Sequence, residues 1–160
     1  MALSVGDRAD REILYRMLGS SVGGTFSGTT GDTLTLRLMK SARVLSKGDS
    51  KFYMIQATGS GYSYIPLAPA SWTIQTLNPG TGDTNIASYA QQTFTFTGAD
   101  SISGYYLQMV KARTSANPPS PPTLGISDSI LMWAEKFVDG PYIIPAGGGT
   151  IKITPRIIMN

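Results

Sequence analysis

Ten acidic side chains could do acid–base work in this 160-residue chain, and only Glu12 and Glu135 among them are glutamates. Asp32, Asp49, Asp83, Asp100, Asp128 and Asp139 lie mostly beside Gly or Ser. Aspartate occupies such places for turn hydrogen bonds. No spacing singles out a carboxylate pair of the kind that flanks a glycosidic bond. The chain holds no His and no Cys, so imidazole bases, thiolate nucleophiles and the usual zinc ligands are lacking. Gly147-Gly148-Gly149-Thr150 has the glycines of a phosphate cradle but not the Gly-Lys-Ser/Thr ending, and a strand pattern follows it, so a β-turn is expected. Asp83, Asn85 and nearby carbonyls could hold a calcium ion, but the Asp-rich calcium-loop pattern is missing and a plain turn is the expectation. The residues thus predict no catalytic group, no metal and no cofactor, and a protein that is not an enzyme.

Contact chemistry is better represented. Tyr62 and Tyr64 sit in Gly59-Ser60-Gly61-Tyr62-Ser63-Tyr64. Tyrosines among small residues are good partner contacts for a protein or a sugar. A half-buried strand is the equal alternative. Trp133, in step with Leu131 and Phe137, is expected in the core. Pro118, Pro119, Pro121 and Pro122 form a stiff, extended run, read either as a rigid connection or as an arm lying on a partner. Ile13, Leu14, Met17 and Leu18 recur at helical spacing, a stripe that must dock on the chain's own sheet or on a neighbouring subunit.

These residues need a scaffold, and the periodicity supplies one. Over 130–137 and 150–159, Leu131, Trp133, Glu135 and Phe137, and then Ile151, Ile153 and Ile157, alternate with other residues. Turn residues Asp139-Gly140-Pro141 and Pro145 to Gly149 lie between the two runs. Period-two alternation bounded by turns marks strands with one buried face. Similar patterns cover 33–39, 52–57, 62–65, 72–77, 91–97, 102–110 and 142–144. Pro155 cannot donate to a ladder, so the last strand is expected at an edge or interrupted there. One short helix is predicted over 7–18, capped by Asp7 or Asp10 and ended by Gly19. The reading is an all-β antiparallel sandwich or jelly roll of eight or nine strands with one short N-terminal helix. An N-terminal segment, 1–19, precedes a single β-sandwich domain, 20–160. Segments 41–51 and 114–127 are expected as exposed loops.

Composition narrows the partners. Charged residues make up 14% of the chain, against roughly 25% in typical soluble domains. A net charge of +3 is no footprint for nucleic acid. No apolar run approaches the roughly 20 residues that cross a bilayer, and Met1 to Asp7 lack the basic and apolar regions of a signal peptide. A chain made in a cytoplasm, with no nucleic-acid or membrane partner, is expected. Low charge, no disulfides and an apolar helix stripe predict a homo-oligomer, a trimer.

The block from residue 89 to 160 resembles small virion structural proteins of tailed bacteriophages. The resemblance rests on Gln91-Gln92-Thr93-Phe94-Thr95-Phe96-Thr97, Ser103-Gly104-Tyr105-Tyr106, the strand Ile130 to Phe137, and the closing strand Gly149 to Ile157. Within that class, the size is similar to that of capsid decoration, or cement, proteins. The resemblance implies a β-fold, location in the virion, and the major capsid protein or another virion protein as partner. It marks no functional residue. The other expectation from the same class is a tail, fibre or connector component with a carbohydrate- or receptor-binding module.

Overall fold

The computed structural model describes residues 33–40, 54–68, 71–77, 84–110 and 129–159. Among them the fold is all-β and sandwich-like, with eleven strands in antiparallel sheets and no α-helix. The predicted helix with Ile13, Leu14, Met17 and Leu18, the predicted loops 41–51 and 114–127, and the proline run lie outside the described residues. No helix among the described residues is long and apolar enough to cross a membrane. The chain divides into two compact units.

The described residues of the larger unit are 33–40, 54–67, 93–110 and 129–152. Its main sheet runs β2 (Ile65–Leu67), β1 (Thr33–Met39), β7 (Gly104–Val110), β8 (Ser129–Lys136). β1 is interior to this sheet. Leu34, Leu36 and Leu38 are buried on one face, and Thr35 and Met39 on the other. Thr35 satisfies its hydroxyl by donating to the Gln108 carbonyl at 3.0 Å, as a buried polar group must. Met39, Met54 and Tyr106 form a buried cluster against which Leu131 and Ala134 pack.

β7 and β8 pair with a register shift between Leu107 and Gln108. Leu107 faces Trp133, and Gln108 faces Leu131, so Met132 is the extra residue of a bulge. Because paired residues share a face and neighbours alternate, Leu131 and Trp133 fall on opposite faces. The even alternation expected through Leu131, Trp133, Glu135 and Phe137 is broken there, and Trp133 is half-buried rather than enclosed.

Two smaller pairs complete this part: β5 (Gln92–Phe96) with β10 (Gly149–Ile153), and β6 (Asp100–Ile102) with β9 (Tyr142–Ile144). β5 buries Phe94 and Phe96 and exposes Thr93 and Thr95, as its alternation requires. Gly104 is dictated by close approach. A Cβ there would run into the Glu135 carbonyl oxygen and would stand 2.5 Å from Met39 Cε. The Gly140-Pro141 peptide is cis.

The described residues of the smaller unit are 68, 71–77, 84–92 and 153–159. Its sheet is β11 (Arg156–Met159), β4 (Thr84–Ser88), β3 (Thr73–Leu77). Ile157, Ala87 and Ile74 form one cross-strand row. Trp72 packs edge-on against Tyr89 at 5.2 Å, and Tyr89 accepts the Ala68 amide on its hydroxyl. Pro155 interrupts the last run, and its carbonyl accepts the Tyr89 amide at 3.0 Å.

Candidate functional site

The best-organised polar cluster lies in the larger unit, where β1 leaves the cover of β2. It starts from Asp100, the first residue of β6, whose side chain is completely covered. Its Oδ2 accepts the Gly59 amide at 2.7 Å and the Thr58 amide at 3.1 Å. Its Oδ1 accepts the Ser101 amide at 2.8 Å and meets Lys40 Nζ at 2.8 Å. Burial alone would raise the pKa of this carboxyl. Lys40 and the amides of Ser101, Gly59 and Thr58 outweigh it and hold the group below its ordinary value. Gly59 fits because a Cβ would come within 2.9 Å of the carboxylate. Asp100 is therefore no turn residue. It is a peg that fixes the backbone from Thr58 onward, helped by the Thr97 amide donating to the Ser60 carbonyl at 2.7 Å.

That backbone delivers Tyr62. Its ring stacks on Phe94 and Phe96, with centroids 5.8 and 5.7 Å away. β2 pairs with β1 only as far as Leu36–Ile65. Past that point the Tyr62 hydroxyl accepts the Leu38 amide at 3.0 Å, standing in for a strand. The Leu38 carbonyl then takes the Ala57 amide, and Lys40 donates to the Ile55 carbonyl. Burial pushes the Tyr62 phenol up to about 12.

Next to Leu38 on β1 stands Arg37, whose charge also reaches the Tyr62 phenol. Its Nε donates to Thr35 Oγ1 at 3.1 Å and its Nη1 to Gln56 Oε1 at 2.6 Å. The guanidinium carbon sits 4.4 Å from the centre of the Tyr64 ring, within cation–π range. Tyr106, cross-strand from Arg37, reaches the same Gln56 oxygen at 3.5 Å, the long limit of a hydrogen bond. Burial raises the Tyr106 phenol, and the Arg37 charge partly offsets this. Among the described residues, Arg37 thus meets the Thr35 and Tyr106 hydroxyls, a carboxamide and an aromatic ring, and no carboxylate. This is a fixed cation with a half-exposed aromatic beside it, an arrangement suited to binding.

A second surface surrounds β9. Phe137 packs edge-on against Tyr142 at 5.0 Å and lies 6.4 Å from Tyr105, whose hydroxyl donates to Glu135 Oε2 at 2.6 Å. Beside this ring cluster Val138 is 97% exposed and Ile143 70% exposed. Isolated exposed apolar residues are ordinary, and these two are the most exposed large apolar side chains among the described residues.

Of the predicted contact residues, Tyr62 and Tyr64 are described, and they part ways. Tyr62 is half-buried and holds the sheet, while Tyr64 is exposed with Arg37 over its ring. Ile13, Leu14, Met17, Leu18, Pro118, Pro119, Pro121 and Pro122 lie outside the described residues, as does Asp83. Asn85 is fully buried inside β4. The glycine run forms a turn in which the Gly148 amide donates to the Pro145 carbonyl, with Gly148 at φ +86°. No group of three metal-ligating side chains occurs among the described residues. Arg37, Gln56 and Asp100 escape a reading of the sequence. Arg37 stands between Leu36 and Leu38 like any outward residue of an alternating strand, and of its partners only Thr35 is a near neighbour in the chain. Compared with protein families, curated proteins and solved structures, the chain matches none.

Proposed function

We propose that this chain is a structural virion protein of a tailed phage, a capsid decoration protein that binds and stabilises the shell of the major capsid protein. The observation that carries the reading is the exposure of Val138 and Ile143, the two most exposed large apolar side chains among the described residues, on a turn and strand braced by Phe137, Tyr142 and Tyr105. Preformed contact surfaces bind with little ordering cost. The resemblance of the block 89–160 to small phage virion proteins supplies the class of partner. In this reading Asp100 and Glu135 hold structure: the first pegs a loop, and the second receives Tyr105. The proposed assembly is a trimer, in which symmetry repeats each modest contact and raises the total affinity.

The test is co-sedimentation of the purified protein with phage heads that lack it. Saturable binding in numbers that follow the shell lattice supports the reading. Binding of a few copies at the tail would replace it with a tail or connector role. A glycan-binding fibre module is the second reading, favoured by the exposed Tyr64 ring beside Arg37. Binding to a glycan array that Tyr64→Ala abolishes would select it.

A further inference from the structure

We infer that Arg37 is an anchor for an acidic side chain of the protein partner, an Asp or Glu carboxylate that docks end-on against the guanidinium beside Tyr64. The inference deepens the proposed protein-binding function and rests on it. Three observations lead there.

The first is charge. Arg37 is half-buried, and its partners among the described residues are Thr35, Gln56, the Tyr106 hydroxyl and the Tyr64 ring. None carries a negative charge at neutral pH. The nearest lysine along β1, Lys40, is paired with Asp100 at 2.8 Å. A partly desolvated cation without a counter-ion attracts an anion more strongly than one in open water.

The second is preorganisation. One hydrogen bond through Nε and another through Nη1 set the plane and direction of the guanidinium. The Thr35 hydroxyl is itself fixed by donating to Gln108. An arginine held in this way loses little rotamer freedom when it binds. A guanidinium presents its N–H groups as a planar fork that matches a carboxylate.

The third is selectivity. The cluster offers one positive charge, framed by phenols and a carboxamide, which suits a singly charged planar carboxylate better than a dianionic phosphate. Tyr64, 47% exposed, adds aromatic contact of the kind that surrounds a charged anchor in a protein interface.

The test uses the full-length protein and a nuclear magnetic resonance titration that follows the Arg37 side-chain N–H signals and the Tyr64 ring. The probes are a blocked Gly-Glu-Gly tripeptide, its Gly-Gln-Gly counterpart and glucuronate. The Glu peptide is expected to shift both sets of signals saturably, with the Gln peptide at least tenfold weaker. Arg37→Lys, which keeps the charge and removes the fork, is expected to weaken the Glu peptide at least tenfold. Tyr64→Ala changes an exposed ring, tests the same site without touching the core, and is expected to weaken it severalfold. Equal response to the Glu and Gln peptides, or no saturable shift, would overturn the inference. Tighter binding of glucuronate than of the Glu peptide would overturn the assignment to a protein partner. Because the titration needs no particle, its failure leaves the sedimentation result to judge the proposed function separately.

Discussion

The Lys40 ammonium stands 2.8 Å from Asp100 Oδ1, joining a carboxylate with no exposed surface to a lysine that is 34% exposed. The same carboxylate binds two amides of the segment that carries Tyr62. Removing it leaves those amides and Lys40 without their partner. Asp100→Ala is expected to cost about 3 kcal/mol or more in urea unfolding, in line with breaking one side of a buried pair. Asp100→Asn keeps an acceptor oxygen and should cost less, about 1–2 kcal/mol.

The same group predicts an acid limb of stability. Its folded pKa lies below the ordinary 3.8, so between those two values the unfolded chain takes up a proton that the folded chain does not. The contribution is complete above the ordinary value and fades as pH falls through the folded one. The stability gap between the wild type and Asp100→Asn should therefore be constant near neutrality and shrink below pH about 4. A gap that widens in acid would contradict the assigned direction.

Tyr62 predicts a limb at the other end. Its phenol is pushed up to about 12 from 10.0, so the unfolded state loses its proton first. The stabilisation is complete below the ordinary value and is lost as pH rises through the folded one. Tyr62→Phe should remove this alkaline dependence and leave the Leu38 amide without its acceptor. The cost at neutral pH should be about 1–2 kcal/mol, read by chemical denaturation, with the alkaline limb read from phenolate absorbance.

Gly104 and Gly147 form a matched pair. A Cβ on Gly104 would enter the Glu135 carbonyl, while one on Gly147 would have nothing within 4 Å. Gly104→Ala should lose about 3 kcal/mol or more, and Gly147→Ala should stay within about 0.5 kcal/mol. Thermal unfolding of the two variants decides between close packing and simple chain flexibility as the reason for glycine at 104.

Much of this scaffold is legible in the sequence. The runs Thr33 to Met39 and Tyr142 to Ile144 mark β1 and β9 to the residue, the first by its apolar alternation and the second as a short apolar run between turn residues. Two features are not legible. β4 buries Asn85, Ile86 and Ala87 in succession, so its run shows no alternation, and Asn85 disguises it as a turn. The bulge at Met132 adds one residue to β8 without any change in the local pattern. The 52–57 run, read as a strand, makes a single bridge from Gln56 to Met39, since Tyr62 takes up the neighbouring amide instead. Of the polar cluster, the tyrosines carry a local signal in their Gly/Ser setting. Arg37 and Asp100 do not, since apart from Thr35 and the Ser101 amide their partners stand 19 or more residues away.

The exposed surface around β9 can be tested apart from the fold. Val138 and Ile143 are 97% and 70% exposed, so changing both to Ser should alter stability by no more than about 0.5 kcal/mol each. If this surface meets the shell, the double variant should bind heads at least tenfold more weakly by quantitative sedimentation. Undiminished binding by the folded variant would move the contact elsewhere.

The proposed adhesion of this β-domain to a phage particle is decided by its copy number in purified virions. The expected result is a quantity proportional to the major capsid protein and density for the chain on the outer shell in an electron-microscopy reconstruction. Virions with no trace of the chain, in a host extract where it is abundant, would contradict it.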